Sequence, residues 1–145
     1  MKYQVGRPGR VIIVRFEDHD DVLEKLVELA KREKIRAAVL YLVGGMREGS
    51  IVVGPEKDEF PPTPVWRTLG ESHEVVGVGT IFWQDETPKV HFHGAFGKKD
   101  TVKVGCLREN SETFLVLEAV IIEMEGVTAR RELDTESGMV LLRLD

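Results

Sequence analysis

Residues 88–107 read PKVHFHGAFGKKDTVKVGCL, and the way this stretch doubles back on itself decides the fold. Both halves have strand composition, and Gly97-Lys98-Lys99-Asp100-Thr101 between them has turn composition. With Lys99 and Asp100 at the tip of an antiparallel hairpin, Gly97 pairs with Val102 and opposed residues have numbers summing to 199. That register sets Cys106 across from His93 and Arg108 across from His91. Alternate strand residues share a face, so His91 and His93 point the same way. Cross-strand partners stand roughly 5 Å apart at the β-carbon. Two imidazoles and a thiolate therefore converge, leaving a fourth position for water or a ligand. This donor set suits zinc or another divalent transition metal. A one-residue slip would send Cys106 to the opposite face. The competing reading is packing, with two strand histidines and a small apolar cysteine.

Working outward, residues 74–83 and 89–96 predict a second hairpin around a turn at 85–88. With Trp83 and Lys89 flanking that turn, opposed residues sum to 172, so His93 faces Gly79 and His91 faces Ile81. Gly77 and Gly79 would then clear space for a small-molecule pocket, or simply mark a bulge. Further strands are expected at 102–107 and 114–124, with a turn at 109–112. Toward the N-terminus, 10–16 reads as a strand rich in β-branched residues. The acidic run 17–21 then precedes a helix to about Lys34, with Leu23, Leu26 and Leu29 at helical spacing. Strands follow at 37–43, ending at Gly44-Gly45, and at 50–53. Residues 54–72 form a proline-rich connection, 130–137 an irregular or briefly helical segment, and 139–144 a last strand. Sequential strands, short turns and one main helix define an α+β fold with an antiparallel-rich sheet, in a single domain spanning residues 1–145.

The chain has 145 residues, 42% of them hydrophobic and 31% charged, with a net charge of -5. No apolar run approaches the roughly 18 residues that span a bilayer, and Met1-Lys2-Tyr3-Gln4 does not open a signal peptide. A cytoplasmic location and no membrane partner are expected, and the lone cysteine agrees with a reducing compartment. The acidic balance disfavours DNA as a partner, since phosphate neutralisation needs lysine and arginine. Gly6-Arg7-Pro8-Gly9-Arg10 contains the core of a minor-groove hook but runs straight into Val11-Ile12-Ile13-Val14, which favours a turn leading into a strand. A single asparagine and two glutamines beside many charged residues hint at a thermophilic source.

Several segments together resemble the plants-and-prokaryotes-conserved (PPC) domain family. They are the acidic pair Glu17-Asp18 with its helix, Val43-Gly44-Gly45-Met46, the stretch from Gly70 to Gly79, Pro88 to Gly97 with its HxH pair, and Arg131 to Leu142. Where the family commonly has Gly-Gly-His-Leu, this chain has Val104-Gly105-Cys106-Leu107, so Cys106 stands at a third histidine. The resemblance implies a PPC-like fold, a homotrimer, and a metal at His91, His93 and Cys106. It also implies glutamate at Glu118, as a buried base or as a residue paired across a subunit interface. Plant members join the domain to DNA-binding hooks, and prokaryotic ones are often described as DNA-associated. The fold is similar to that of a zinc decarboxylase with HxH ligands, an analogy of fold alone.

Three functions compete. The first is a metal-dependent enzyme acting on a small molecule, with no reaction assigned and no catalytic residue identified. The second is a DNA-associated or regulatory module that self-associates without catalysis. The third uses Cys106 as a nucleophile with His93 as base, although no orienting acid is evident. Arg108 could hold an anionic ligand or stand exposed. His19 reads as a loop or capping residue. His73 lies roughly 20 Å along the strand from Gly79 at about 3.3 Å per residue, too far to join the site within one chain unless the strand order differs, though a neighbouring subunit could present it.

Overall fold

The computed structural model describes residues 1–144. Its elements run β1 (Arg7–Glu17), α1 (Val22–Arg32), β2 (Ala37–Pro55), β3 (Pro64–Leu69), β4 (His73–Gln84), β5 (Thr87–Lys98), β6 (Thr101–Glu125), β7 (Arg130–Leu133) and β8 (Val140–Arg143). The first six strands make one antiparallel sheet in the order β1-β6-β5-β4-β2-β3, with β6 also pairing to β2. The short strands β7 and β8 form a separate ribbon. An antiparallel-rich sheet with one helix is the α+β arrangement read from the sequence.

Helix α1 forms because Val22, Leu26 and Ala30 recur at a spacing of four and bury one face, while Lys31 and Arg32 complement the C-terminal dipole. That face lies over β5 and β6 and joins one core cluster with Phe16, Leu40, Leu42, Phe92, Leu117 and Ile121. Asp21 caps the helix by accepting the Glu24 N–H. It also accepts the Ser111 hydroxyl at 2.9 Å and the Ser111 N–H at 3.0 Å, tying the helix start to β6. Ser111 is fully buried, so losing Asp21 orphans two of its donors. Asp21→Ala is therefore expected to cost about 2–3 kcal/mol of stability, a lost cap plus unsatisfied donors, read by urea denaturation.

Two boundaries expected from the sequence are absent. Segments 37–43 and 50–53 belong to one strand, β2, which runs on through Gly44. Gly44 has φ +138°, and a β-carbon there would sit 2.6 Å from the Val116 carbonyl oxygen. The glycine pair thus permits a close approach and a bulge against β6. Likewise 102–107, the expected turn at 109–112 and 114–124 merge into β6, where Asn110 and Leu115 take positive φ and break the pairing register without ending the strand. Residues 64–69, expected to be connection, form β3 on β2. Residues 130–133, expected to be irregular, form β7.

The β5–β6 hairpin adopts the expected register, with His93 opposite Cys106 and Gly97 opposite Val102. The β4–β5 hairpin is one residue off the expected one. Gln84 pairs with Thr87 across the two-residue tip Asp85-Glu86, so Val78 faces His93, Thr80 faces His91 and Gly79 faces Phe92. The space beside Gly77 and Gly79 therefore lies on the core face, where the Phe92 ring fills it.

Candidate metal centre

Strand β5 alternates between two environments. Phe92 and Phe96 enter the core beneath α1, and His91 and His93 project from the other face of the sheet. Cys106 on β6 shares that outer face. It is 4% exposed yet lies outside the hydrophobic core cluster, and among the described residues its thiol has only the Leu107 carbonyl at 3.9 Å as an acceptor.

The ligating atoms of His91, His93 and Cys106 all lie within 4.8 Å of one another, a group that could hold a metal ion. The two Nε2 atoms approach to 3.1 Å, with the rings edge to face at 88°. Donors on a tetrahedral ion, with arms of about 2.0–2.3 Å, stand roughly 3.3–3.8 Å apart, so small side-chain adjustments would bring the three onto one ion. Burial, followed by the charges of Arg131, His93 and Arg108, pushes the His91 imidazole down to about 4. A neutral imidazole near pH 7 has a lone pair available for a metal. Burial pushes the Cys106 thiol up, opposed by the nearby Arg108 and Arg131 charges.

A cleft of about 670 Å³ opens over the three residues, walled by Val52, Pro62, Pro64, Trp66 and Met139. A second cleft of about 430 Å³ shares His91, Arg108 and Met139 with it and adds Lys89, Arg131 and Leu141. Arg108 lines both clefts, but β5–β6 pairing stops at His93–Cys106, and β6 passes on to β2 at Val52 and Ile51. The expected pairing of Arg108 with His91 therefore does not form.

Glu118 lines neither cleft among the described residues. It is exposed on β6, paired with Arg15 and Val43, with β2 and β4 between it and the histidine strand. His73 is buried with Nδ1 2.6 Å from the Glu71 carbonyl, outside the cluster. His19 contacts Asp18 and Glu112 in an exposed ion-pair group. Trp66, Met139 and Arg131 were not singled out from the sequence. Their segments carry no periodicity pointing at the histidines, and only chain reversal brings them there.

The Plants and Prokaryotes Conserved (PCC) domain matches residues 3–125, and the chain belongs to that family. A metal-containing protein from Archaeoglobus fulgidus is 25% identical with a TM-score of 0.85, over 99% of each chain. A plant- and prokaryote-conserved protein from Pyrococcus horikoshii is 22% identical with a TM-score of 0.84, over 100% of this chain and 99% of that one. A proposed DNA-binding protein from Ralstonia eutropha is 23% identical with a TM-score of 0.74, over 92% and 90% of the two chains. No curated protein matches the chain significantly.

Proposed function

We propose that this protein holds a divalent transition metal of the zinc type on His91, His93 and Cys106 and presents it to a small molecule in the cleft above. The observation that carries this reading is the convergence of three ligating atoms within 4.8 Å at the base of an open cleft. The likeness to an archaeal protein known to contain metal supports it. A zinc ion with three protein ligands keeps one open position and supplies Lewis acidity or an activated water. The chain's own part is to shape the cleft and, by burying His91, to keep that ring neutral. Glu109 is the one carboxylate among the described lining residues of that cleft, and the reaction is unassigned. Elemental analysis of protein purified without a metal-affinity tag is expected to find about one zinc per chain; metal-free wild-type protein would sink the proposal.

We extend this reading to a homotrimer. Directly paired residues make a cross-sheet row Ile13–Val120–Tyr41–Val78–His93–Cys106, and a parallel row carries Val43, Val76 and Val104. Ile13, Tyr41, Val43, Val76 and Val104 are each more than half exposed. A contiguous apolar face of this kind marks an interaction surface, and here it leads to the metal ligands. Light scattering is expected to return three times the 16.3 kDa chain mass, and Tyr41→Glu to lower it.

The second reading, a DNA-associated module in the cytoplasm, draws on the Ralstonia eutropha protein. Against it, Arg7 pairs with Glu125, and Arg10 pairs with Glu123 and Glu33. These residues stand within or beside a paired strand, not on a free basic arm. No salt-sensitive duplex binding is expected in a gel-shift; tight binding that weakens with salt would reverse this order.

A further inference from the structure

We propose that the smaller cleft binds the carboxylate of a small organic acid, with Arg131 as its principal contact and Arg108 and Lys89 at its mouth. This deepens the metal-site reading by naming the ligand class, and rests on it only for what the rest of the ligand meets.

Arg131 is only 9% exposed. Its Nη2 donates to the Thr80 hydroxyl at 3.2 Å, and its guanidinium carbon lies 5.9 Å from the centre of the Phe82 ring. Arg7, Arg10, Arg15, Arg32, Arg47 and Arg130, all more exposed, each have an acidic partner. Among the described residues, no carboxylate forms an ion pair with Arg131. A guanidinium carries five donors, and one neutral acceptor leaves most of a buried charge uncompensated. Burial also weakens its hold on its proton, which agrees with a charge lacking a counter-ion.

The cleft that Arg131 lines contains two further cations, Lys89 and Arg108, and no acidic side chain among its described lining residues. A planar fork of donors matches a carboxylate bidentately. The remaining wall is apolar, made by Val90, Met139, Val140 and Leu141. Apolar lining favours an acid with a hydrocarbon part over a fully hydrated inorganic anion. About 430 Å³ leaves ample room for a small organic acid. Because His91 and Arg108 line both clefts, this one is continuous with the metal corner. Arg131 and its β7–β8 ribbon lie beyond residues 3–125 that match the family domain, whereas Lys89, His91 and Arg108 lie within them.

The test is titration of metal-stripped protein with butanoate, with butanamide and with inorganic phosphate, followed by amide chemical shifts. Butanoate is expected to bind at least about 10-fold more tightly than uncharged butanamide, in keeping with a hydrogen bond to a charged group. Arg131→Met is expected to remove that difference, and Arg131→Lys to retain part of it. If Arg131→Met fails to fold, exposed Arg108→Ala decides, with an expected several-fold weakening. Equal binding of butanoate and butanamide, or unchanged butanoate affinity in folded Arg131→Met, overturns the proposal. Phosphate binding more tightly than butanoate overturns the carboxylate assignment. Zinc content of the same preparations before stripping separates the two readings. Anion binding without zinc counts against the metal centre alone, and zinc without anion binding counts against this cleft alone.

Discussion

Cys106→Ala is expected to lower zinc affinity by at least about 100-fold while the protein stays folded, because losing even an outer partner of a metal ligand commonly costs 10–100-fold. The thiol is the only sulfur donor in the cluster, and its removal leaves two imidazoles on alternate positions of one strand. The fold tolerates the change because Cys106 lies outside the core cluster and the substitution removes a single atom. Burial keeps Cys106 a thiol before metal arrives, so zinc uptake is expected to release about one proton per chain, measured in weak buffer. His93→Ala should behave similarly, since its ring is exposed and supports little packing. Competition against a chromophoric chelator gives the affinities. An affinity unchanged in both variants would return the cluster to strand packing, and metal-independent alkylation of Cys106 would favour a nucleophilic cysteine.

Phe92→Ala has the opposite signature, with a large loss of stability. Phe92 sits between the two histidines in sequence but points into the core, 1% exposed, its ring against the bare backbone of Gly77 and 2.8 Å from a β-carbon built on Gly94. No side chain on those glycines can move in to fill the space. The truncation therefore leaves a cavity and should cost about 3–5 kcal/mol. For a domain of this size that corresponds to a fall in Tm of about 10–15 °C. Calorimetry on metal-stripped protein isolates the packing loss from any metal contribution. A fall below about 3 °C would mean that the core relaxes around the site or that the ring is not buried as described.

The two predictions divide the HxH segment by strand alternation. Its odd positions carry the candidate chemistry and its even position carries the fold. This division was legible in the sequence, as was the β5–β6 register that pairs His93 with Cys106, because both follow from a tight local turn and a period of two. The helix was legible for a similar reason, since Val22, Leu26 and Ala30 repeat at its period beside a capping aspartate.

What the sequence could not determine lies one step further from local periodicity. In the β4–β5 hairpin, a two-residue tip and a longer turn share one composition, and the difference moves Gly77 and Gly79 from beside the histidines to beneath Phe92. Gly44 looks like a strand end, Asn110 like a turn residue and Leu115 like strand interior, yet all three are irregularities within β2 and β6, because pairing resumes on both sides of them. Glu118 interrupts an apolar run in the sequence but faces outward beside Arg15. Arg131 has no local feature that sets it apart; reversal of the chain after β6 lays it on Thr80 beside His91. Local spacing thus determined the three candidate ligands. Their cleft, its cationic wall and its glycine-packed support were decided by long-range pairing and burial, which act between residues far apart in the chain.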